Sequence, residues 1–201
     1  MRRRGAAPRL ALEGSRLLQD AGDSAGALAL LDAYETAQRT ARASAAQGAK
    51  ALDADDRYWF ARGELLASQA QAEPALAAFE RAIAARGPLH ARAQTAKARL
   101  LVQRQDYDAA RALLLPLAPT DGSGQLAEAY QAMSELLFAQ GDFDAGCQHA
   151  FLALSRMGRG GAVSPQLKGY VNTVNQRLLE AGKARLSRAW LSEAQTLVST
   201  R

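Results

Sequence analysis

The sequence predicts an all-α fold, a right-handed α-solenoid of about nine or ten helices paired into hairpins. Ala, Leu, Arg, Gln and Glu dominate the composition, and all five are good helix formers. Runs of Val, Ile, Thr and aromatic residues, which strands favour, are missing. Small residues also recur at intervals of 35 and then 36 residues, in the two series Gly63, Ala98, Ser134 and Ala75, Ala110, Gly146. Composition and periodicity together predict a repeated pair of helices.

The clearest hairpin is residues 56–88, in which two predicted helices each carry an apolar face with spacings of three to four residues. These faces consist of Trp59, Gly63 and Leu66 in the first helix and of Ala75, Phe79 and Ala82 in the second. Because Gly63 and Ala75 are small, the two backbones can approach closely, and Phe79 fills the space beside them. Gly87 and Pro88 end the unit, since neither residue continues a helix well.

This hairpin is similar to a tetratricopeptide (TPR) unit, whose pattern is W-x2-L-G-x2-Y, then A-x3-F, then P. Arg62 stands in place of the Leu and Leu66 in place of the Tyr. The positions that match are Trp59, Gly63, Ala75, Phe79 and Pro88. TPR units repeat about every 34 residues, close to the spacing of the small residues here. The resemblance covers most of the chain and implies an α-solenoid that binds other proteins without catalysis.

The first hairpin, residues 8–52, is a degenerate one with an extended second helix. A turn at residues 21–24 separates its two apolar faces, and the second helix is predicted to run from Ser24 to Leu52 because no stop signal interrupts it. Alanines at spacing four continue along this helix: Ala37, Ala41, Ala45 and Ala49.

The hairpins after residue 88 are predicted at 90–122 and 125–158, followed by a C-terminal capping hairpin at 164–199. Pro116 indicates that the second helix of hairpin 90–122 ends early or kinks. Ser164-Pro165 is an N-cap followed by a proline at the first helical position. The apolar face of the last helix consists of Leu186, Trp190, Leu191, Ala194 and Leu197. We interpret residues 1–201 as a single TPR-like domain.

The net charge of +5 is concentrated at the N-terminus. Residues 1–16 carry five arginines and one glutamate, which leaves only +1 for the rest of the chain. A nearly neutral body argues against a nucleic-acid surface spread over the protein. The Arg2-Arg3-Arg4 cluster fits either a solvated start or the cytoplasmic flank of a deleted membrane helix. No apolar run of about 18 residues is present, so we expect no membrane span in this chain.

Cysteine content and composition bear on the source and the compartment. Cys147 is the only cysteine, so an internal disulfide is excluded and a reducing compartment is favoured. We therefore expect a cytoplasmic protein, with a fragment of a larger or membrane-anchored protein as the alternative. A chain rich in Ala, Arg and Leu is typical of a high-GC, bacterial source.

The sequence contains no recognisable catalytic or metal-binding motif. His90 and His149 lack a Cys or carboxylate partner at a metal-ligand spacing. Cys147 is two residues from His149 on a helix, so the two side chains point in different directions, and the thiol is interpreted as a small buried hydrophobe. The glycine-rich loop 158–161 lacks the Gly-Lys-Ser or Gly-Lys-Thr of a phosphate-binding loop. We therefore expect no enzymatic activity, no cofactor, no metal and no small-molecule substrate.

The expected binding surface is the concave groove, which the first helix of each hairpin lines in such arrays. Arg92 and Arg99 are two turns apart on one side of a helix, so both could reach a carboxylate or a phosphate. Phe60 and Phe138 suggest apolar anchors for a peptide. Alternatively, the arginines only solvate this face and the phenylalanines pack between repeats. The predicted groove consists of Arg16, Arg57, Phe60, Glu64, Arg92, Thr95, Arg99, Gln131, Glu135 and Phe138.

The TPR resemblance implies an adaptor or scaffold, and the arginines predict a protein or peptide partner with an acidic segment. TPR modules that grip the acidic C-terminus of a chaperone carry Lys and Asn at fixed groove positions, and neither residue stands at those positions here. They are occupied by Leu12, Phe60, Thr95 and Gln131. Two alternatives remain open. One is a homo-oligomeric scaffold that associates through the Ser24–Leu52 helix or the terminal helix, and the other is a nucleic-acid binder that uses the Arg-rich N-terminus.

Overall fold

A computed structural model describes residues 6–44, 55–157 and 164–186. These ranges contain nine helices and no strand. In chain order the helices are α1 (Ala6–Asp20), α2 (Ser24–Ser44), α3 (Asp56–Ser68), α4 (Ala72–Ala84), α5 (His90–Gln103), α6 (Tyr107–Leu114), α7 (Ala127–Ala139), α8 (Phe143–Met157) and α9 (Pro165–Glu180). The predicted all-α class is therefore confirmed.

The chain forms two compact units, residues 1–100 and 101–201. In the first unit α1 packs with α2 and α3 packs with α4, while α3 also contacts α1 and α2. In the second unit α7 packs with α8, and these helices contact α6 and α9 respectively. The organisation of the whole chain as one domain of five hairpins stays a prediction.

Two predicted features extend beyond the described residues. Helix α2 begins at Ser24 as expected and is described as far as Ser44, so the predicted continuation to Leu52 lies outside the described part. The face of the last predicted helix beyond Leu186 lies outside it as well. Helix α6 ends at Leu114, two residues before Pro116, as expected from the missing N–H of proline.

One turn geometry recurs at the end of five helices. In each turn one residue has a positive φ, and the next residue donates its N–H to the carbonyl of a leucine five positions earlier, at 2.7–2.9 Å. This is the hydrogen bond that ends a helix in a Schellman motif. The five positive-φ residues are Gly22, Ala70, Gln105, Gly141 and Gly182. Ala70 and Gln105 adopt this conformation despite their Cβ atoms, which shows how strongly the hairpin geometry constrains the turn.

Aspartates that follow three of these turns begin the next helix. Asp23, Asp106 and Asp142 each accept a hydrogen bond from the backbone N–H three residues later, at 2.8, 3.4 and 3.1 Å. This is the N-cap interaction that satisfies one of the otherwise unpaired amides of a first helical turn. A single short segment thus ends one helix and starts the next, so the hairpins have tight connections.

In the first unit, the core of the α3–α4 hairpin depends on the contact between Gly63 and Phe79. A Cβ atom at Gly63 would lie 2.6 Å from the Phe79 ring, so no side chain fits there without a shift. Trp59, Ala75 and Ala82 are buried around this contact, as the sequence pattern predicted.

In the second unit, the α7–α8 hairpin uses the same kind of contact with the two partners exchanged between helices. A Cβ atom at Gly146 of α8 would lie 2.5 Å from the ring of Phe138 on α7. Ser134, which is buried at the position equivalent to Gly63, donates a hydrogen bond from its hydroxyl to the Gly146 carbonyl at 2.8 Å. Both hairpins therefore contain a glycine packed against a phenylalanine. In α3–α4 the glycine is on the first helix, whereas in α7–α8 it is on the second.

Candidate protein-binding surface

A polar cluster joins α2 to α3 and holds the charged side chain of Arg62. The buried Tyr58 hydroxyl lies 3.0 Å from Glu35 Oε2 and 3.1 Å from the Leu31 carbonyl oxygen. Burial, and then the nearby Glu35 carboxylate, raise the pKa of Tyr58. Arg62 pairs with Asp32 and lies 3.7 Å from Glu35. Arg62 is one of the two residues that depart from the TPR pattern, and the structure shows its role: it ties α3 to the carboxylates of α2.

An arginine covers an aromatic ring in each unit. The Arg81 guanidinium lies 4.3 Å from the ring centroid of Trp59, and the Arg156 guanidinium lies 4.1 Å from that of Tyr130. In both cases the aromatic residue is on the first helix of a hairpin and the arginine on the second. Cation–π contacts of this kind add to the packing of the pair. The sequence pattern does not reveal these contacts, because their spacings differ, at 22 and 26 residues.

Arg156 and Tyr130 also hold the loop before α7. Arg156 Nε donates to the Gly124 carbonyl at 2.7 Å, and the Tyr130 hydroxyl donates to the Pro119 carbonyl at 3.0 Å. The Gly124 N–H donates in turn to the Tyr130 hydroxyl, at 3.0 Å. Arg62, Arg81 and Arg156 therefore each contact another part of their own unit.

The structure places four of the predicted groove residues at the surface of the first unit. Arg16 on α1, Arg57 and Glu64 on α3, and Arg92 on α5 are exposed. They lie on the first helix of each hairpin, as predicted. Their role in binding stays a prediction.

Glu64 and Arg92 interact electrostatically, although they belong to different hairpins. The Glu64 side chain is solvent-accessible, yet enough protein surrounds the carboxyl for desolvation to raise its pKa, and the Arg92 charge opposes that shift. The two side chains are therefore close enough to share one surface, formed by α3 and α5. An anionic ligand at Arg92 would also meet the Glu64 carboxylate.

Other predicted groove residues of the first unit are less accessible. Phe60 is half-buried and its ring centroid lies 5.9 Å from that of Phe79. Thr95 is only 2% exposed, and its hydroxyl donates to the Ala91 carbonyl at 2.9 Å, so it offers almost no surface to a ligand. Arg99 is half-buried. Thr95 is buried because the core-facing side of α5 is broader than the sequence pattern indicated.

In the second unit, the predicted groove residues are half-buried. The Gln131 amide donates to the Met157 sulfur at 3.1 Å, and Glu135 is partly covered. Phe138 packs on Phe143, with ring centroids 5.9 Å apart, and on Gly146 as described above. The two phenylalanines expected as anchors thus both pack inside their own hairpins and leave only part of each ring accessible.

The histidines have structural surroundings. His149 is 4% exposed with Nδ1 2.9 Å from the Ala145 carbonyl oxygen, and His90 Nδ1 lies 2.8 Å from that of Ile83. Among the residues that the structure describes, no group of three or more His, Cys, Asp or Glu side chains could hold a metal ion. In the same residues, no helix has the length and apolar character needed to cross a bilayer.

Comparisons with known structures agree with the fold. A Podosopora anserina protein of the kinesin light chain type, with nearly identical TPR-like repeats, matches with a TM-score of 0.64 at 14% identity, over 96% of this chain and 94% of that one. MamA from Desulfovibrio magneticus RS-1 (residues 41 to the end) matches with a TM-score of 0.57 at 18% identity, over 98% and 95% of the two chains. A double mutant of MamA RS-1 gives 0.56 at 18% identity, over 98% and 94%. No protein-family model and no curated protein matches the sequence. The TPR-like fold predicted from the sequence is thereby confirmed.

Proposed function

Because the chain has a TPR-like fold, we propose that it is a non-catalytic protein-binding module, an adaptor or scaffold, which holds an acidic peptide segment on the first helices of its hairpins. The observation that carries this proposal is the surface of α3 and α5 in the first unit, where Arg57 and Arg92 are exposed. Outside residues 1–16 the chain has a net charge of only +1, so the positive charge of Arg57 and Arg92 is a local feature of this surface.

The other arginines of α3 and α4 support this choice of surface, because each contacts another side chain of the first unit. Arg62 pairs with carboxylates of α2, and Arg81 covers Trp59. On α3 and α5, Arg57 and Arg92 are the arginines whose side chains are exposed. The accessible part of the Phe60 ring lies on the same helix as Arg57 and supplies an apolar contact.

The strength of exposed ion pairs defines the ligand more closely. Each such pair contributes roughly 0.2–1 kcal/mol, so one carboxylate would give little affinity and several are needed. Glu64 adds a selective element, because its charge opposes an anion at Arg92. The best ligand is thus a peptide with a run of acidic residues beside an apolar one.

Binding to an array of synthetic 15-residue peptides of graded acidic content tests the proposal. We expect the parent protein to prefer acidic peptides with an apolar residue. Arg57→Glu with Arg92→Glu should weaken this binding about tenfold or more, because it reverses two contacts and adds repulsion. Glu64→Gln should strengthen it, whereas Arg3→Glu, which reverses a charge in the N-terminal cluster, should change it little.

The same titration distinguishes the alternatives. Equal binding of acidic and neutral peptides, or parental affinity in the Arg57→Glu, Arg92→Glu variant, would contradict the proposed surface. A mixed-sequence oligonucleotide serves as a second polyanion. If it binds tightly and with a steep dependence on salt, the nucleic-acid alternative gains support. Circular dichroism of each variant shows whether the helical fold is intact.

A homo-oligomeric scaffold is a second candidate, and one observation favours it. Leu10 and Leu17 on α1 are 67% and 70% exposed and lie two helical turns apart, hence on the same side. Paired exposed leucines fit a self-association surface better than scattered single ones do. Light scattering over a range of concentrations tests this candidate, and Leu10→Glu with Leu17→Glu should abolish any dimer that forms through α1.

A further inference from the structure

The second unit contains an open cavity of about 330 Å³ between α8, α9 and the residues that follow α9. The less exposed part of its lining is mainly apolar and consists of Phe143, Cys147, Leu178 and Leu186. The exposed part contains the charged residues Asp144, Lys183 and Arg185 together with Ala184. The cavity thus combines a covered apolar surface with charged side chains at its opening.

The backbone that follows α9 is fixed beside this cavity. The Lys183 N–H donates to the Leu178 carbonyl at 2.7 Å, in the turn that ends α9. The Leu186 N–H donates to the Asn175 side-chain oxygen at 2.8 Å. In addition, Lys183 Nζ lies 5.8 Å from the ring centroid of Phe143, so its charge reaches over the apolar lining. Hydrogen bonds on both sides therefore hold the basic residues at the cavity.

The charges of the lining favour an anionic ligand. Among the described residues, no carboxylate forms an ion pair with Lys183 or Arg185. Asp144 is the acidic residue of the lining, which therefore carries two positive charges and one negative charge. A ligand with a carboxylate next to an apolar group matches this arrangement, because the cations can pair with the carboxylate while the apolar lining covers the rest.

We propose that this cavity is a second peptide-binding site, which takes an apolar side chain of a partner protein and pairs an adjacent carboxylate of the same segment with Lys183 and Arg185. A peptide fits better than a free small molecule, because small-molecule sites enclose most of the ligand surface, whereas this cavity is open. The site lies within the second unit and uses no residue of α3 or α5. It therefore goes beyond the function proposed above and does not depend on it.

Cys147 can report whether the cavity is occupied, because it lines the cavity and is the only cysteine in the chain. The experiment measures how fast iodoacetamide, an uncharged reagent, alkylates this thiol in the full chain with and without a peptide. Alkaline pH is suitable, because burial raises the pKa of the Cys147 thiol and the thiolate is the reactive form.

The probe is the peptide acetyl-Glu-Glu-Phe-Glu-Glu-amide, and two control peptides replace its Phe by Ala or every Glu by Gln. We expect a saturating concentration of the probe to slow the alkylation at least about tenfold, because the bound peptide covers the thiol. Each control peptide should protect the thiol much less, since it lacks either the apolar group or the charges.

Variants of the lining test the role of its charges. Lys183→Glu, and more strongly Lys183→Glu with Arg185→Glu, should reduce the protection, because attractive charges become repulsive ones. Asp144→Asn should lower the probe concentration needed for protection, since it removes a like charge. Lys168→Glu is the matched control, because Lys168 is an exposed residue of α9 that does not line the cavity. It should leave the protection unchanged.

Equal alkylation rates of the parent with and without the probe would overturn the proposal, as would full protection in the Lys183→Glu, Arg185→Glu variant. Protection by decanoate but not by the probe would overturn it too, and would assign the cavity to a small amphipathic carboxylate. If the doubly substituted variant loses its helical circular dichroism signal, Lys183→Gln with Arg185→Gln replaces it, since that variant removes the charges without adding repulsion.

The readout also separates this site from the surface on α3 and α5. Alkylation is measured at the Cys147 thiol of the second unit, whereas the Arg57→Glu, Arg92→Glu titration measures peptide binding by the first. A failure of one proposal is therefore distinguishable from a failure of the other.

Discussion

Replacing Gly63 with alanine should destabilise the first unit, although alanine is the better helix former. A Cβ atom at this position would lie 2.6 Å from Cε1, 2.7 Å from Cδ1 and 3.0 Å from Cζ of Phe79. Phe79 is only 1% exposed, so its ring cannot move aside into solvent. The added methyl group must therefore push α3 and α4 apart or force the ring from its rotamer.

The size of the effect follows from two opposing contributions. Overpacking a core typically costs about 1–3 kcal/mol, and exchanging glycine for alanine inside a helix gains about 1 kcal/mol. We therefore expect Gly63→Ala to lose up to about 2 kcal/mol of unfolding free energy. Gly169 in α9 is the matched control, because a Cβ atom there would meet nothing within 4 Å. Gly169→Ala should show the helix-propensity gain alone.

Urea unfolding followed by far-ultraviolet circular dichroism measures both variants. A double-mutant cycle with Phe79→Leu then tests the contact itself, since a smaller side chain at position 79 should relieve much of the penalty of Gly63→Ala. A stabilisation by Gly63→Ala as large as that by Gly169→Ala would contradict the steric conflict with Phe79. An equal penalty in the Phe79→Leu background would contradict it as well.

Two further predictions concern a recurrent turn and a buried tyrosine. Gln105→Gly should raise the unfolding free energy by up to about 1 kcal/mol, because Gln105 has φ 62°, whereas Gly141→Ala in the equivalent turn (φ 80°) should lower it by a similar amount; thermal unfolding measures both, and a gain in Gly141→Ala would argue against the turn geometry. Tyr58 is buried and its pKa lies above the usual 10.0, so the unfolded chain loses this proton first and the unfolding free energy should fall as the pH rises through 10. Tyr58→Phe should be less stable at neutral pH, because it loses the hydroxyl contacts, and should show a flatter decline in alkali. If the unfolding free energy of Tyr58→Phe declines as steeply as that of the parent in urea titrations from pH 8 to pH 11, another group causes the decline.

The sequence was sufficient for the fold class because the signal that mattered is periodic. Gly63 and Phe79 could be paired from a single hairpin, and the structure confirms their contact. The recurrence of small residues at 35 and 36 residues then extended the pattern along the chain. The apolar faces depend on spacing within a helix, which the period of 3.6 residues per turn makes recognisable, whereas the recurrence depends on the length of the repeat.

The binding surface was harder to predict because it depends on pairs of helices. Phe138 was expected in the groove, yet it packs on Gly146, and its own helix contains no sign of that partner. Thr95 was predicted to lie at the surface because it is one helical step away from the core face of α5. It is buried because the covered face of α5 is wider than that step. Arg62 shows that a departure from a motif can itself be informative, since its replacement of leucine coincides with the carboxylates of α2.

The glycine and the phenylalanine have exchanged helices between α3–α4 and α7–α8, and this limits which segments of the two hairpins can be recombined. Helices α3 and α7 both have 13 residues, and α4 and α8 begin at equivalent positions, so the hairpins look interchangeable in length. A hybrid of α3 with α8 would pair Gly63 with Ala150 and leave a void where a phenyl ring belongs. The reciprocal hybrid of α7 with α4 would bring two phenylalanines onto Ser134 and Ala75, where neither has room. Exchange by single helices therefore fails in both directions, and the complete hairpin is the smallest segment that can be transplanted or duplicated with its packing intact.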